Sequence, residues 1–420
     1  MSSSKPEEGG VERAQTLRML EKLRQGTDCL EGSSLFSTGR EPLFQAATDL
    51  LEELEVSGGA IVRWVRGRTG QGKTHLFGRL IEIAHSRGWV TSYVQVSERG
   101  YGTELHRFEE VYAAVVKNIL CADLVAEEKG RVEPGRVSGW DWILDSWWRA
   151  MRRQVVGRDG GEVPTLRLRE TVEQNVEALR RRWSIQGMFA EALRQFAFAV
   201  ADGDGEWQRV IRSWFRGEDV HQGDIKARLR AVGIRESLNR RNAKDMLRSL
   251  SVFLRYRGFA GVMILLDELE NVLHQTPVAR RTAYVLLREL IDNIDDRHGM
   301  ANAAFYISAT PDVFDSAQGI SEYEALAERV LLPGAKSSTN PAGAVLDLAA
   351  FPFKQDELLE MAERIAVLHG AARQWNPGKP VSRRLETLLD ESLERDPDMT
   401  ARSWVKLVID ELDSARSTAR

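Results

Sequence analysis

One stretch, residues 67–74 with the sequence GRTGQGKT, constrains the fold of this 420-residue chain more than any other. The apolar, β-branched residues 60–65 precede it and an amphipathic run, 74–81, follows, so a buried strand should enter the loop and a helix should leave it. Glycines have no Cβ and tolerate positive φ, which lets consecutive backbone N–H groups point at one anion near the positive end of that helix. The stretch therefore predicts a phosphate-binding loop in an α/β fold; a glycine-rich turn without a ligand is the alternative.

The side chains of this loop have separate tasks. Lys73 supplies a mobile positive charge to the β and γ phosphates of a nucleotide, so we expect it to act in catalysis as well as in binding. The Thr74 hydroxyl is a ligand for Mg²⁺. ATP and Mg²⁺ are therefore the predicted cofactors. The residues predicted to hold the nucleotide from this stretch are Gly67, Gly70, Gln71, Gly72, Lys73, Thr74 and His75.

A second motif, residues 261–268 with the sequence GVMILLDE, supplies acidic groups. Its five consecutive apolar residues predict a strand buried on both faces, as in a parallel sheet, with two carboxylates at its carboxyl end. Asp267 would hold Mg²⁺ through the water shell of the ion, and Glu268 would polarise the water that attacks the γ phosphate. The two motifs support each other because each requires the other on a separate strand of one sheet.

Composition restricts the partners and the compartment. The formal net charge of −4 gives no global electrostatic case for nucleic-acid binding, so a DNA site would have to be a local patch. Cys29 and Cys121 show no metal-ligand spacing and suit a reducing cytoplasm. Because we find neither a leader pattern nor an apolar run of roughly 18 residues, we expect a cytoplasmic protein with no membrane span.

About 190 residues separate Lys73 from Asp267, far more than one strand and one helix need. Residues 89–96 predict a second core strand, after which 105–256 is almost continuously helical in pattern. We interpret this segment as a helical insertion that carries whatever is particular to the protein. Glycine- and proline-rich stretches predict breaks in it at 130–135, 157–164, 203–205 and 217–223.

Tryptophan is concentrated in the insertion, which holds seven of the eleven in the chain. A partner-binding surface and the core of a helical bundle both explain this enrichment, and we favour the core because burial is the commoner state of Trp. The arginine clusters 180–182 and 240–241 are interpreted as solvated helix faces, with phosphate contacts as the alternative. The seven tryptophans are Trp140, Trp142, Trp147, Trp148, Trp183, Trp207 and Trp214.

The rest of the chain completes the predicted division. We expect a disordered tail over 1–10, a last short core strand near 345–348, and helices in the remainder of the C-terminal part. The predicted parts are an N-terminal tail and helix (1–30), the first part of the ATPase core (31–104), the helical insertion (105–256), the second part of the core (257–350) and a helical C-terminal lid (351–420).

Four short motifs now stand together, at residues 39–41, 67–74, 266–268 and 307–311. With the long insertion and the ending around Arg402 and Trp404, the chain resembles the ATP-binding proteins of BREX-type phage-defence systems, the BrxD-like group, over about residues 30–415. These look like relatives of the origin-recognition clade of AAA+ ATPases. The resemblance implies a P-loop NTPase with a parallel core sheet, a helical C-terminal lid and other defence-system proteins as partners.

The resemblance also implies roles for five side chains. Arg40 would lie where an adenine is held, with a solvated helix start as the alternative. The strand before Thr310 would lie between the two motif strands and place Thr310, with Ser308 behind it, near the attacking water; a helix cap is the alternative for Thr310. Arg329 would act as an arginine finger on a neighbouring subunit, unless it forms an ordinary helical salt bridge. Arg402 would reach back from the lid to the nucleotide.

The leading functional hypothesis is an ATPase that converts ATP and water to ADP and phosphate in anti-phage defence. A nucleotide-dependent switch or scaffold with slow hydrolysis is the second hypothesis, and a DNA-binding initiator-like ATPase is the third, against which the acidic net charge counts. An arginine finger would also require a homo-oligomer. A kinase is disfavoured because the Asp-Glu pair suits water as the nucleophile.

Overall fold

A six-stranded sheet lies at the centre of the fold. The computed structural model describes residues 8–27, 29–98, 100, 102–129, 138–156, 165–218, 220, 223–292, 299–331 and 339–418. The strands are β1 Ala60–Arg66, β2 Val90–Gln95, β3 Ile119–Leu120, β4 Val262–Asp267, β5 Ala303–Ala309 and β6 Val345–Asp347. Their order in the sheet is β3-β2-β4-β5-β1-β6, and every neighbouring pair is parallel except β2 and β3.

Helices cover both faces of this sheet and form the two ends of the chain. They are α1 Glu8–Gln25, α2 Glu41–Ser57, α3 Lys73–Ser86, α4 Phe108–Lys117, α5 Ala122–Lys129, α6 Gly139–Val156, α7 Thr165–Trp183, α8 Gly187–Ala201, α9 Gly205–Phe215, α10 Gly223–Ala231, α11 Ala243–Tyr256, α12 Pro277–Asp292, α13 Pro311–Asp315, α14 Glu324–Val330, α15 Gln355–Arg373, α16 Gly378–Arg395 and α17 Ala401–Thr418. Short 3₁₀ helices occupy Ser33–Leu35, Leu269–His274, Ile320–Glu322 and Leu348–Ala350. Within the described ranges, no helix has both the length and the apolar character needed to cross a membrane.

The strand order places both predicted motifs at one edge of the sheet. Strand β5 pairs with β1 on one side and with β4 on the other, as expected from the resemblance. Every residue of β4 and β5 is buried, which explains their unbroken apolar sequences. Since β1, β4 and β5 are parallel, their carboxyl ends lie at the same edge of the sheet. The phosphate-binding loop after β1 therefore lies on the same side as the two carboxylates at the end of β4.

The insertion packs on one face of the sheet and α2 and α3 pack on the other. Val262 and Ile264 of β4 join the hydrophobic cluster that contains the insertion helices, whereas Met263 and Leu265 join the cluster of α2 and α3. The sheet is thus the middle of three layers. Strand β3 was not predicted: these two residues at the start of the insertion pair antiparallel with β2.

The tryptophans of the insertion mostly belong to its core. Trp140, Trp147, Trp207 and Trp214 are buried, Trp142 and Trp148 are partly buried against the same cluster, and Trp183 is 38% exposed. The core interpretation is therefore confirmed for four of the seven. The predicted breaks at 130–135 and 157–164 lie outside the described residues, as do residues 1–7 of the predicted tail. The other three residues of that tail, 8–10, belong to α1, so the prediction of disorder is wrong for them.

The two ends of the chain pack together. Helix α1 contacts α15 and α17, and with α16 these helices share a hydrophobic cluster that includes Leu20, Met361 and Trp404. Trp404 is fully buried, and its indole N–H donates to the carbonyl of Leu358 at 2.8 Å. We call α1, α15, α16 and α17 the terminal module.

Candidate nucleotide-binding site

The loop at residues 67–74 leaves β1 and reaches α3 through two left-handed glycines. Gly70 has a φ of 79° and Gly72 a φ of 96°, so a side chain would be strained at either position. Gly67 is not left-handed, contrary to what its place in the motif suggests. A Cβ there would lie 3.1 Å from Leu348 Cδ1, a tight contact that the leucine would have to relieve by a small shift.

Lys73 is the first residue of α3 and is 8% exposed. Its Nζ donates to the carbonyl of Gly67 at 2.9 Å and lies 3.7 Å from Glu270 Oε1. The ammonium is therefore folded back over the loop and lies near the N-terminus of α3. A phosphate placed there would meet both the helix N-terminus and this charge.

The Asp267 carboxylate is held by four donors. Thr74 Oγ1 and the Tyr93 hydroxyl each donate to Oδ2 at 2.8 Å, while Ser308 Oγ and the Glu268 backbone N–H, at 3.0 Å, donate to Oδ1. Asp267 is only 1% exposed, and these bonds compensate the cost of burying its charge. Tyr93 was not predicted, although the one aromatic residue of β2 was the available signal.

The oxygen atoms at this point suit Mg²⁺. A hydroxyl and a carboxylate lie side by side, which is the small set of hard ligands that Mg²⁺ takes from a protein when phosphates and waters supply the rest. Among the described residues, no group of three or more His, Cys, Asp or Glu side chains is arranged to hold a metal. Thr74 and Asp267 therefore fit a Mg²⁺ ion that is bound together with a nucleotide.

Two further carboxylates face the cleft. Glu268 follows β4 with a φ of 62° and a ψ of 40°, an unfavourable conformation for a residue with a side chain and one often found at functional positions. Glu270, which was not predicted, accepts the Thr310 backbone N–H at 3.2 Å and also lines the cleft. Thr310 lies at the N-cap position of α13, but its side chain makes no capping hydrogen bond, which counts against the alternative role as a cap.

The cleft beside the loop has a volume of about 930 Å³, its open mouth included. Its second half is apolar and comes from distant parts of the chain: the terminal module, the segment 26–36 and Phe353. Sequence reasoning missed these side chains, because singly they look like ordinary core residues of helices or of the segments that connect them. They are Leu23, Cys29, Phe36, Phe353, Met361 and Val405.

Arg40 lies behind the loop and is only 7% exposed, so the alternative of a solvated helix start is wrong. Its guanidinium donates to the carbonyl of Gln71 at 3.1 Å and to that of Phe351 at 3.0 Å, and it lies 4.2 Å from the centre of the Phe353 ring. Burial lowers the pKa of Arg40 to about 10, which leaves it charged at neutral pH. Arg40 thus joins the phosphate-binding loop to the chain that enters α15.

His75 and Arg402 also lie where the loop meets the chain ends. His75 Nε2 is 3.1 Å from Ser37 Oγ and its ring lies 5.0 Å from that of Phe36. Burial, together with the charges of nearby arginines, lowers the pKa of His75 to about 4. Arg402 lines the cleft at the start of α17, and its backbone N–H donates to the carbonyl of Gly70 at 3.2 Å.

Arg329 lies outside the set of residues that line the cleft. Its guanidinium forms an ion pair with Asp292 at the end of α12. This is a salt bridge between two helices of the same chain, rather than one within α14. A role on a neighbouring subunit would require this pair to open.

A comparison with protein-family models identifies the family. The model described as BREX system ATP-binding protein BrxC/D matches residues 11–419. The chain belongs to this family. It is therefore an ATP-binding protein of a phage-defence system. No curated protein and no solved structure gives a significant match to the chain.

Membership of the BrxC/D family also suggests that other defence-system proteins are partners of the chain. The matched range spans the insertion and nearly all of the terminal module. Together with the parallel sheet, the loop is compatible with a P-loop NTPase.

Proposed function

We propose that this BrxC/D-family protein is a Mg²⁺-dependent ATPase, BrxD-like and of the AAA+ type related to the origin-recognition clade, that works in the cytoplasm. The observation that carries the proposal is the joined pair of motifs: the Thr74 hydroxyl lies 2.8 Å from an Asp267 carboxylate that three further donors fix. Glu268 follows directly and faces the same cleft. The strand order supports the AAA+ assignment, because β5 lies between the strands of the two motifs.

In this proposal the chain prepares the phosphates for attack by water. Backbone N–H groups of the loop and Lys73 bind the β and γ phosphates and stabilise the charge that develops on them. Thr74 and Asp267 would hold Mg²⁺, which neutralises phosphate charge when it is bound. Glu268 would orient the attacking water and accept its proton, and Thr310 would hold this water from the end of β5.

The apolar half of the cleft would bind the base. Phe36, Met361 and Val405 provide an apolar wall of the kind on which an aromatic base packs. Arg402 would lie near the phosphates from the terminal-module side. We further propose that Arg329 leaves Asp292 when a second copy of the chain assembles, and then acts as an arginine finger at the neighbour's site.

A substitution at Glu268 tests the proposal. Glu268→Gln should reduce the turnover number by roughly 10²–10⁴-fold, the usual contribution of a positioned acid–base group, while ATP remains bound. Measurements of phosphate release and of ATP affinity over a protein-concentration series separate the two effects. Glu328→Gln, which removes an equal charge at an exposed position outside the cleft lining, is the matched control.

Two outcomes would contradict an autonomous ATPase. If Glu268→Gln releases phosphate as fast as the wild type, the proton acceptor lies elsewhere. If the wild type binds ATP but shows no turnover at any concentration, the second candidate function applies, a nucleotide-dependent switch. The separate core of the terminal module favours that candidate, because such a module can change position with the nucleotide while its own packing persists.

A further inference from the structure

Glu270 is an acidic residue that the ATPase proposal leaves without a role. It lies two residues after Glu268, in the 3₁₀ helix Leu269–His274. The left-handed conformation of Glu268 reverses the chain there, so that the Glu270 carboxylate returns to the cleft. Leu269 and Val272 are buried and hold this helix against the interior of the protein. The backbone thus holds Glu270 at the phosphate end of the cleft.

The two oxygens of Glu270 contact two different parts of the site. Oε1 lies 3.7 Å from Lys73 Nζ, and Oε2 accepts the backbone N–H of Thr310 at 3.2 Å. The Lys73 side chain is 8% exposed and that of Glu270 is 22% exposed, so solvent only partly screens the pair. The carboxylate therefore bridges the phosphate-binding loop and the turn between β5 and α13.

This geometry conflicts with nucleotide binding. Phosphate oxygens require the Lys73 ammonium, and a carboxylate beside that ammonium competes with them and repels them. Lysine has a flexible four-carbon stem and a compact charge, so its Nζ can move between two anions while its Cα stays in the helix. Glu270 has a second partner, the Thr310 backbone N–H, whose hydrogen bond does not depend on the lysine.

We propose that Glu270 is a positioning residue that serves as the counter-ion of Lys73 in the nucleotide-free site. When a nucleoside di- or triphosphate binds, its phosphates replace Glu270 as the partner of the lysine. The exchange removes the charge partner of Glu270, and its hydrogen bond to Thr310 transmits this change to the turn beside the attacking water. The inference rests on the proposed nucleotide site and deepens it. It also assigns a chemical specificity: the ligand must carry a β phosphate, because Lys73 serves the β and γ phosphates in the proposed site.

Affinities for three nucleotides test the exchange. Glu270→Gln should bind ATP and ADP about fivefold more tightly than the wild type, the scale of a partly exposed ion pair, and should bind AMP with unchanged affinity. Glu328→Gln, the exposed control, should match the wild type with all three nucleotides. Equal tightening with AMP, or no tightening with ATP and ADP, would overturn the counter-ion role.

A double-mutant cycle identifies the partner of the carboxylate. In a Lys73→Met background the tightening caused by Glu270→Gln should largely disappear, since the group that changes partner is gone. If the same fivefold tightening persists there, Glu270 merely repels phosphate and the exchange is wrong. Equal thermal stability of the nucleotide-free variants would confirm that affinity, and not folding, is compared.

The link to Thr310 has its own readout. Glu270→Gln and Glu270→Ala both remove the charge, so both should lower the KM for ATP. A glutamine keeps an oxygen that can accept the Thr310 N–H, whereas an alanine does not, so only Glu270→Ala should show a several-fold lower kcat. Equal kcat values in the two variants would overturn the link. Absence of ATP binding in the wild type would overturn the proposed function itself, whereas binding with equal affinity in wild type and Glu270→Gln would overturn only this inference.

Discussion

The helical insertion and the terminal module are built alike but attached to the sheet differently. Buried residues of the insertion, such as Trp140 and Phe253, belong to one hydrophobic cluster with residues of β4 and β5. The cluster of the terminal module, which includes Met361 and Trp404, contains no strand residue among those that the structure describes. The insertion should therefore unfold together with the sheet, while the terminal module can loosen from it. The nucleotide cleft lies at the second of these boundaries.

The largest expected effect comes from a matched pair of tryptophan substitutions. Trp140→Ala removes an indole that packs on Phe215 and Phe253, and Trp404→Ala removes one from the terminal module. Each should cost about 3–5 kcal/mol of local unfolding free energy. For Trp140→Ala, urea unfolding followed by circular dichroism should show that the whole fold is lost at a lower urea concentration than in the wild type. For Trp404→Ala, hydrogen exchange should increase mainly in α1 and α15–α17.

The exposed Trp183 supplies the control for this pair. Trp183→Ala should change the free energy of unfolding by less than about 0.5 kcal/mol, as surface substitutions usually do. The comparison of the two regions would fail if Trp404→Ala destabilised the sheet as much as Trp140→Ala does. It would also fail if Trp140→Ala unfolded the insertion and left the exchange protection of β4 and β5 unchanged.

An intermediate effect is expected at the joint between the loop and the terminal module. Arg40→Lys keeps the positive charge but loses the planar fork that donates to the carbonyls of Gln71 and Phe351. ATP affinity, measured by calorimetric titration, should fall about five- to tenfold, or about 1–1.4 kcal/mol. Arg18→Lys, at an exposed position of α1, should leave it unchanged. An unaltered affinity in Arg40→Lys would show that the loop keeps its shape without this brace.

The smallest effect is a pH dependence confined to the terminal module. His369 is fully buried; its Nδ1 accepts the indole N–H of Trp375 at 2.9 Å, and its Nε2 donates to Asp413 at 3.1 Å. Burial lowers the pKa of His369 below its ordinary value, with Arg373 and Arg416 adding to the decrease and Asp413 opposing it. The stability that the neutral imidazole gives is fully present above its unfolded pKa of about 6.5 and is lost as pH falls through the lower folded pKa.

Hydrogen exchange at pH 7.5 and pH 5, corrected for intrinsic rates, measures this dependence. Acidification should loosen α1 and α15–α17 more than the sheet, and His369→Gln should remove most of that difference. A terminal module that keeps its protection at the lower pH would mean that Asp413 holds the protonated form as well as the neutral one. A pH effect of equal size in the insertion would erase the distinction between the two regions.

The phosphate end of the site was predictable because its signals are local. The glycines and Lys73 lie within eight consecutive residues, and Asp267 and Glu268 end a strand whose apolar run identifies it. Parallel strands then bring both motifs to one edge of the sheet. The position of β5 between β1 and β4, expected from the resemblance, is confirmed by the strand pairing.

The apolar half of the cleft was not predictable, because it is made by parts of the chain that are far apart in sequence. Leu23 and Val405 meet only when the two ends of the chain pack together, and each has the periodicity of an ordinary helix core. Glu270 was missed for another reason: its return to the cleft depends on the left-handed φ of Glu268, and no residue type there signals that conformation. Strand β3 acquires its pairing from β2 and has no pattern of its own.

The hydrogen bond from the Arg402 backbone N–H to the Gly70 carbonyl couples α17 to the phosphate-binding loop through main-chain atoms alone. Substitution of the Arg402 side chain leaves both atoms in place, so an alanine scan of α17 would not detect this tether, whereas Gly70 has a φ of 79° that a side chain would strain. A proline at position 402 would delete the donor at little cost to the helix, since an N–H in the first helical turn has no partner within the helix. This contact thus joins the C-terminal helix to the phosphate-binding loop through backbone geometry, and it needs no particular side chain at position 402.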